Sequence, residues 1–181
     1  MVARNFSEVD ADVMRPRIDI AGEKTGITGM EFPVLNYLIY LVSEVFGYEH
    51  WYGRLVNLII SSVGMLFFFK VIREHFNEKL AFKATIILIC SVWFVFSRKI
   101  MPDTMAMSLI IASIYFGCKY LYCTDRRGWV DLCVALILGT IGVLAKLPVA
   151  FLFVVYAPLL LKPSIAKARK LKLVGLFGLF L

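Results

Sequence analysis

Histidine is nearly absent from this chain, with 2 among 181 residues, and its 4 cysteines fall in no metal-binding spacing. The interval from Cys118 to Cys123 matches no zinc pattern, so a His/Cys metal cage is not expected. Cys90 and Cys133 sit inside apolar runs, and Cys118 and Cys123 near the end of one, as free apolar thiols do. Charge is scarce too, at 18% of residues against 60% hydrophobic, and the mean hydropathy is +0.79. The apolar residues are not broken into amphipathic stripes, which excludes an ordinary soluble domain. No basic stretch followed by an apolar region and a small-residue cleavage site opens the chain, so no signal peptide is read there.

What the chain has instead is a series of long apolar blocks. Taking about 20 residues per crossing, they predict an all-α, polytopic transmembrane helix bundle with five spans, at about 55–72, 80–97, 104–122, 130–145 and 147–161. The last two are short. Residues 162–170 read as a basic loop and 171–181 as the start of a sixth helix.

The net charge of +7 would point to nucleic acid in a soluble protein, but here the cations sort by loop. Lys70, Arg73, Lys79, Lys83, Lys119, Arg126, Arg127, Lys162, Lys167, Arg169, Lys170 and Lys172 fall on one side. Only Arg98, Lys99 and Lys146 occupy the opposite short loops. The cation-rich side is expected to be cytoplasmic, which places Asp103, Lys146 and residues 1–53 outside; nucleic acid is not an expected partner. A long polar segment outside the membrane with no export signal, and a final apolar run of half a span, predict an internal piece of a larger integral membrane protein, or a truncated gene product, rather than a complete small protein.

The outer segment 1–53 is expected to be an extracytoplasmic loop carrying an interfacial helix. Arg15, Pro16 and Arg17 form a rigid basic turn, and Gly22, Gly26 and Gly29 let the backbone bend closely. From Glu31 onward Phe32, Leu35, Leu38, Ile39, Val42, Val45 and Phe46 recur at helical spacing, with Pro33 suited to a first turn and Gly47 to an end. Asn36, Ser43 and Glu44 give it a polar face, so residues 33–46 predict an amphipathic helix in the membrane surface. Tyr37, Tyr40, Tyr48, Trp51 and Tyr52 suit headgroup depth, and anchoring alone accounts for each.

Between the second and third spans lies Ser97-Arg98-Lys99-Ile100-Met101-Pro102-Asp103. A carboxylate at the mouth of a helix bundle is costly to desolvate and is a functional candidate; a plain polar turn is the alternative. Small residues Ser61, Ser62, Gly64, Ala112 and Ser113 are placed to permit close helix contact beside an apolar groove.

The order of Ala3-Arg4-Asn5-Phe6, Arg15-Pro16-Arg17-Ile18-Asp19, Gly29-Met30-Glu31-Phe32-Pro33, a helix ending at Phe46-Gly47, and Gly53-Arg54-Leu55 resembles the first outer loop of polytopic glycosyltransferases of the C superfamily. The similarity is to the branch of protein O-mannosyltransferases and lipid A aminoarabinose transferases. Ser97-Arg98-Lys99 with Met101-Pro102-Asp103 resembles their second outer loop, and Leu144-Ala145-Lys146-Leu147-Pro148 their next outer turn, so the likeness covers about residues 1–150.

The resemblance implies transfer of a sugar from a polyprenyl-phosphate carrier to an acceptor at the outer face of a bacterial plasma (inner) membrane. It implies a general base just after a first membrane helix, at a position that would precede Arg4, so this chain alone is expected to lack the base and to be inactive. It implies a second acid at Asp103. Glu31 stands where the aminoarabinose transferases have the glutamate of Glu-Lys-Pro, and keeps an acidic or metal-contacting role while their lysine is absent. Phosphate contact then falls to Arg15, Arg17, Arg54, Arg98 and Lys146; no cofactor is specified, and a divalent metal is left open. The chemistry itself needs a base on the acceptor hydroxyl and cations on the departing phosphate, for which the planar fork of Arg is well suited. The lipid-linked sugar and membrane lipids are the expected partners. A noncatalytic membrane subunit and a transporter-like protein are the competing classes, the latter weakened because the charges gather at span ends.

Overall fold

The computed structural model describes residues 2–19, 25–27, 31–122 and 128–180. Gly22, Gly29, Cys123, Arg126 and Arg127 of the sequence reading lie outside them. The described residues form helices α1 (Val2–Glu8), α2 (Val34–Phe46), α3 (Tyr52–His75), α4 (Glu78–Ile89), α5 (Val92–Phe96), α6 (Pro102–Tyr122) and α7 (Gly128–Ala145), then a 3-10 helix (Leu147–Tyr156), α8 (Ala157–Leu161) and α9 (Lys167–Phe180). Their single β contact is an isolated antiparallel bridge between Arg17 and Ile27. The fold is an all-α bundle, and α3, α6 and α7 are each long and apolar enough to cross a membrane.

Helix α6 is the axis of the bundle, packed between α3 and α7. Lipid tails are as apolar as leucine, so helices associate in a bilayer through close packing and hydrogen bonds rather than expulsion of water. Both are present here. A Cβ on Gly64 would lie 2.4 Å from Ser108 Cβ, so α3 and α6 touch almost backbone to backbone. On the other side of α6, Gly142 of α7 leaves room for Ile110 and the Ala106 carbonyl, and Ser113 Oγ donates to Ala135 O at 2.6 Å. Met105, Ala106, Ile110, Leu132 and Ala135 are fully buried around these contacts. Of the small residues singled out in the sequence, Ser61, Gly64, Ala112 and Ser113 are buried; Ser62 is exposed, its hydroxyl turned back to Leu58 O.

Two stretches that read as single spans are interrupted. Over 80–97 the helix stops at Cys90. Ser91 takes an extended conformation, and its hydroxyl donates to Leu88 O at 2.6 Å, competing with the helical ladder before α5 begins. Over 147–161 the first ten residues wind as a 3-10 helix, much longer than the usual run of about 3–4 residues. Pro148 begins this coil and Pro158 opens α8, and each removes an N–H from an α-helical ladder.

The N-terminal segment is more ordered than a loop. Helix α1 packs on α2, with the Phe6 ring edge-on to Tyr37 at 5.6 Å. Gly26 has φ +75°, a left-handed conformation that glycine adopts without strain, and its carbonyl accepts the Ile18 N–H where the chain folds back on itself. On α2 the inward stripe is Leu35, Ile39 and Ser43. Ser43, expected on the polar face, is buried because its hydroxyl is satisfied by Ile39 O at 2.8 Å; Leu41, Val45 and Phe46 face outward instead.

Candidate functional site

The start of α3, the start of α6 and the end of α7 meet at one end of the bundle, because α6 runs parallel to α3 and antiparallel to α7. The loop before α6 is held there by Asn57, a fully buried residue of α3. Its Nδ2 lies 2.7 Å from Lys99 O, 3.2 Å from Met101 O and 2.9 Å from Thr104 Oγ1, while Thr104 Oγ1 lies 3.1 Å from Asn57 Oδ1. One assignment satisfies every group: the two amide hydrogens go to the two carbonyls, and the threonine hydroxyl donates to Oδ1. Ser97, also fully buried, donates to Phe94 O at 2.6 Å and closes the other end of this turn.

The pinned turn delivers Asp103 into the first turn of α6, where the helix dipole favours an anion. Lys146 follows the last residue of α7, where the dipole favours a cation, and its backbone N–H donates to Gly142 O. Lys146 Nζ lies 3.0 Å from Glu31 Oε2 and 3.6 Å from Asp103 Oδ1. Glu31 arrives from the segment just ahead of α2, so three distant parts of the chain converge on one ammonium. Its hydrogen bond to Glu31 raises the Lys146 pKa above the ordinary lysine value against the lowering effect of desolvation, and the charges of Asp103 and Glu31 add to the rise. The lysine side chain is 28% exposed and the two carboxylates more so, which leaves all three open to a ligand.

Beside this triad is a cleft of ≈ 180 Å³ lined by Glu31, Phe32, Pro33, Asn36, Pro102 and Ala145. A second cleft of ≈ 280 Å³ shares Asn36 and contains Tyr48, Glu49, His50, Arg54 and Ile100. Asn36, in the first turn of α2, is shared by the two recesses.

Of the residues marked in the sequence, the structure brings Glu31, Asp103 and Lys146 together and puts Arg54 in the neighbouring cleft. Arg15 and Arg17 are held in their own loop, Arg15 by Asp12 at 3.7 Å and Arg17 by Asp10 at 3.8 Å and by Thr25 O. Arg98 is exposed and makes no ion pair among the described residues. Sequence reasoning missed Asn57 and Thr104, and read Asn36 only as part of a polar helix face. An asparagine in the apolar run that follows Arg54 in α3 was the available signal, since an unsatisfied amide in hydrocarbon is costly. Among the described residues no three His, Cys, Asp or Glu side chains cluster as metal ligands.

A carboxylate pair sharing one ammonium can accept a proton from a hydroxyl and can pair with a phosphate. Residues 30–181 match the family model described as dolichyl-phosphate-mannose-protein mannosyltransferase. Comparisons with curated proteins and with solved structures return no match. The family match covers most of the chain and takes in Glu31, Asp103 and Lys146 alike, and the chain belongs to the dolichyl-phosphate-mannose-protein mannosyltransferase family.

Proposed function

We propose that this chain forms part of the reaction centre of a membrane glycosyltransferase, moving a sugar from a polyprenyl-phosphate donor to an acceptor hydroxyl. The observation that carries the reading is the single ammonium of Lys146 shared by Glu31 and Asp103. At rest the group carries one positive and two negative charges. A donor phosphate brings further negative charge and competes with both carboxylates for the ammonium. Once Lys146 turns to the phosphate, a carboxylate is released from its ion pair and can take the proton of the incoming hydroxyl, a role that the family resemblance alone gave to a residue ahead of Arg4, so this reading replaces the expectation of an inactive chain. The same ammonium stabilises the phosphate as its bond to the anomeric carbon breaks. The carrier's isoprenoid tail lies in the hydrocarbon beside the helices, while its head reaches the triad at the membrane surface. The cation-rich opposite end then faces the cytoplasm, and Arg54 serves the phosphate from the adjoining cleft.

The test uses membranes containing the protein and a radiolabelled polyprenyl-phosphate sugar. Asp103→Asn is expected to lower transfer by about a hundredfold or more with membrane insertion unchanged, and Glu31→Gln to weaken capture of the labelled donor. Full transfer and full donor capture in both variants would overturn the assignment.

A further inference from the structure

The other end of the bundle holds a chamber that the proposed reaction does not use. Helix α3 closes there with Glu74 and His75, α6 with Cys118, Lys119 and Tyr122, and Lys162 follows α8; together they line a cavity of ≈ 570 Å³. Most of α6, about 22–28 Å at 1.5 Å per residue, separates its Cys118, Lys119 and Tyr122 from Asp103.

The cavity presents both signs of charge on an apolar floor that includes the buried Cys118. The Glu74 carboxylate accepts the Tyr115 hydroxyl at 3.2 Å, which orients it from α3 across to α6. Lys119 is steadied by Asp131, whose Oδ1 is 3.1 Å from its Nζ. Lys162 Nζ lies 3.4 Å from the Tyr122 hydroxyl and over its ring. At the same end of the bundle, further cations ride on aromatic faces: Lys70 on Phe67, Arg73 on Phe69, Arg169 on Tyr120 and Lys172 on Trp129. Cations stacked on rings at the ends of membrane-crossing helices mark the depth of lipid headgroups, and a basic recess between such helices takes a lipid phosphate.

The carboxylate narrows the choice of ligand. A purely anionic headgroup would face Glu74 with no compensating charge, and a purely cationic group would face Lys119 and Lys162. A zwitterion with a phosphate next to a primary ammonium meets both. We propose that this cavity binds the phosphoethanolamine headgroup of a membrane lipid, its phosphate on Lys162 and Lys119 and its ammonium on the Glu74 carboxylate. A trimethylammonium headgroup has no N–H to give Glu74, and a glycerol headgroup has no cation. The site stands on its own residues and does not depend on where sugar transfer occurs.

The experiment is native mass spectrometry of the full chain released from mixed micelles containing equal amounts of acyl-matched phosphatidylethanolamine, phosphatidylcholine and phosphatidylglycerol. The wild type is expected to retain phosphatidylethanolamine over each of the others by about fivefold, the scale of an exposed ion pair. Glu74→Gln should erase its advantage over phosphatidylglycerol, and Lys162→Met should reduce retention of all three. Soluble phosphorylethanolamine should displace the lipid where inorganic phosphate does not. Equal retention of the three lipids, preference for phosphatidylglycerol, an unchanged preference in Glu74→Gln, or equal displacement by inorganic phosphate overturns the proposal. The wild-type comparison needs no variant to fold.

Discussion

The Asn57 side-chain amide lies 2.7 Å from the Lys99 carbonyl oxygen, joining the second turn of α3 to the loop that delivers Asp103. Ile100 of that loop packs against Gly53 of α3, and the Asn57 amide adds the hydrogen bonds that fix the loop's aim. Asn57→Ala strands the carbonyls of Lys99 and Met101 and should destabilise the protein by about 1–3 kcal/mol. Asn57→Asp keeps an acceptor for Thr104 and loses both donors, and it should behave like the alanine variant. Thermal unfolding in detergent measures the loss. If Asp103 acts as proposed, maximal transfer rate should fall further than donor binding, because the donor's cation at Lys146 is untouched.

Among the described residues Lys146 is the one group both carboxylates address, which makes its charge more consequential than its length. Lys146→Met should abolish capture of a polyprenyl-phosphate sugar while leaving Glu31 and Asp103 in mutual repulsion. Lys146→Arg should retain part of that capture, since a guanidinium also pairs with phosphate. Photo-crosslinking with a labelled lipid-phosphate sugar reads both variants. Undiminished crosslinking to Lys146→Met removes the lysine from the site.

The pH behaviour follows from the direction of the lysine shift. Because the folded-state pKa of Lys146 is raised, its ion pairs contribute fully below the unfolded lysine value, about 10.4, and their contribution is lost only as pH rises through the higher folded value. Acylation of Lys146 by an amine-directed reagent should therefore rise at higher pH than in Glu31→Gln, which removes the largest cause of the shift. Coincident profiles would show that the hydrogen bond to Glu31 does not form in solution.

Farther along α6, a Cβ on Gly117 would stand 1.9 Å from the Tyr156 hydroxyl. That hydroxyl is buried and lies 3.1 Å from Ser113 O, docking the 3-10 segment against α6. Gly117→Ala should cost about 1–3 kcal/mol through overpacking, and adding Tyr156→Phe should recover part of it by removing the oxygen in the way. A thermal shift in detergent for the single and double variants checks both steps.

The membrane-crossing character of α3, α6 and α7 was readable because unbroken apolar length is a property of the sequence alone. The convergence of Glu31, Asp103 and Lys146 was partly readable too: sorting cations by loop put all three on one side, and the family resemblance marked each. Their distances were not readable, because they depend on how closely Gly64 and Gly142 let α3, α6 and α7 approach. Arg98, expected as a phosphate contact, stands apart from the other three. It stands near Asp103 in sequence, but the turn fixed by Asn57 and Ser97 leaves it exposed and outside the triad. The break at Ser91 escaped notice because a serine hydroxyl can cap a backbone carbonyl or simply ride on a helix, and composition does not distinguish the two.

The tight coil after Lys146 also changes how far a short segment reaches. Residues 147–161 wound entirely as α-helix would extend about 22 Å, well below a hydrocarbon layer of about 30 Å. With ten of them in a 3-10 coil that climbs about 2 Å per residue, the same stretch reaches about 27 Å. A segment with too few residues for an α-helical crossing thus gains nearly a full helical turn of height, and the lysine at its head can stand level with the start of α6.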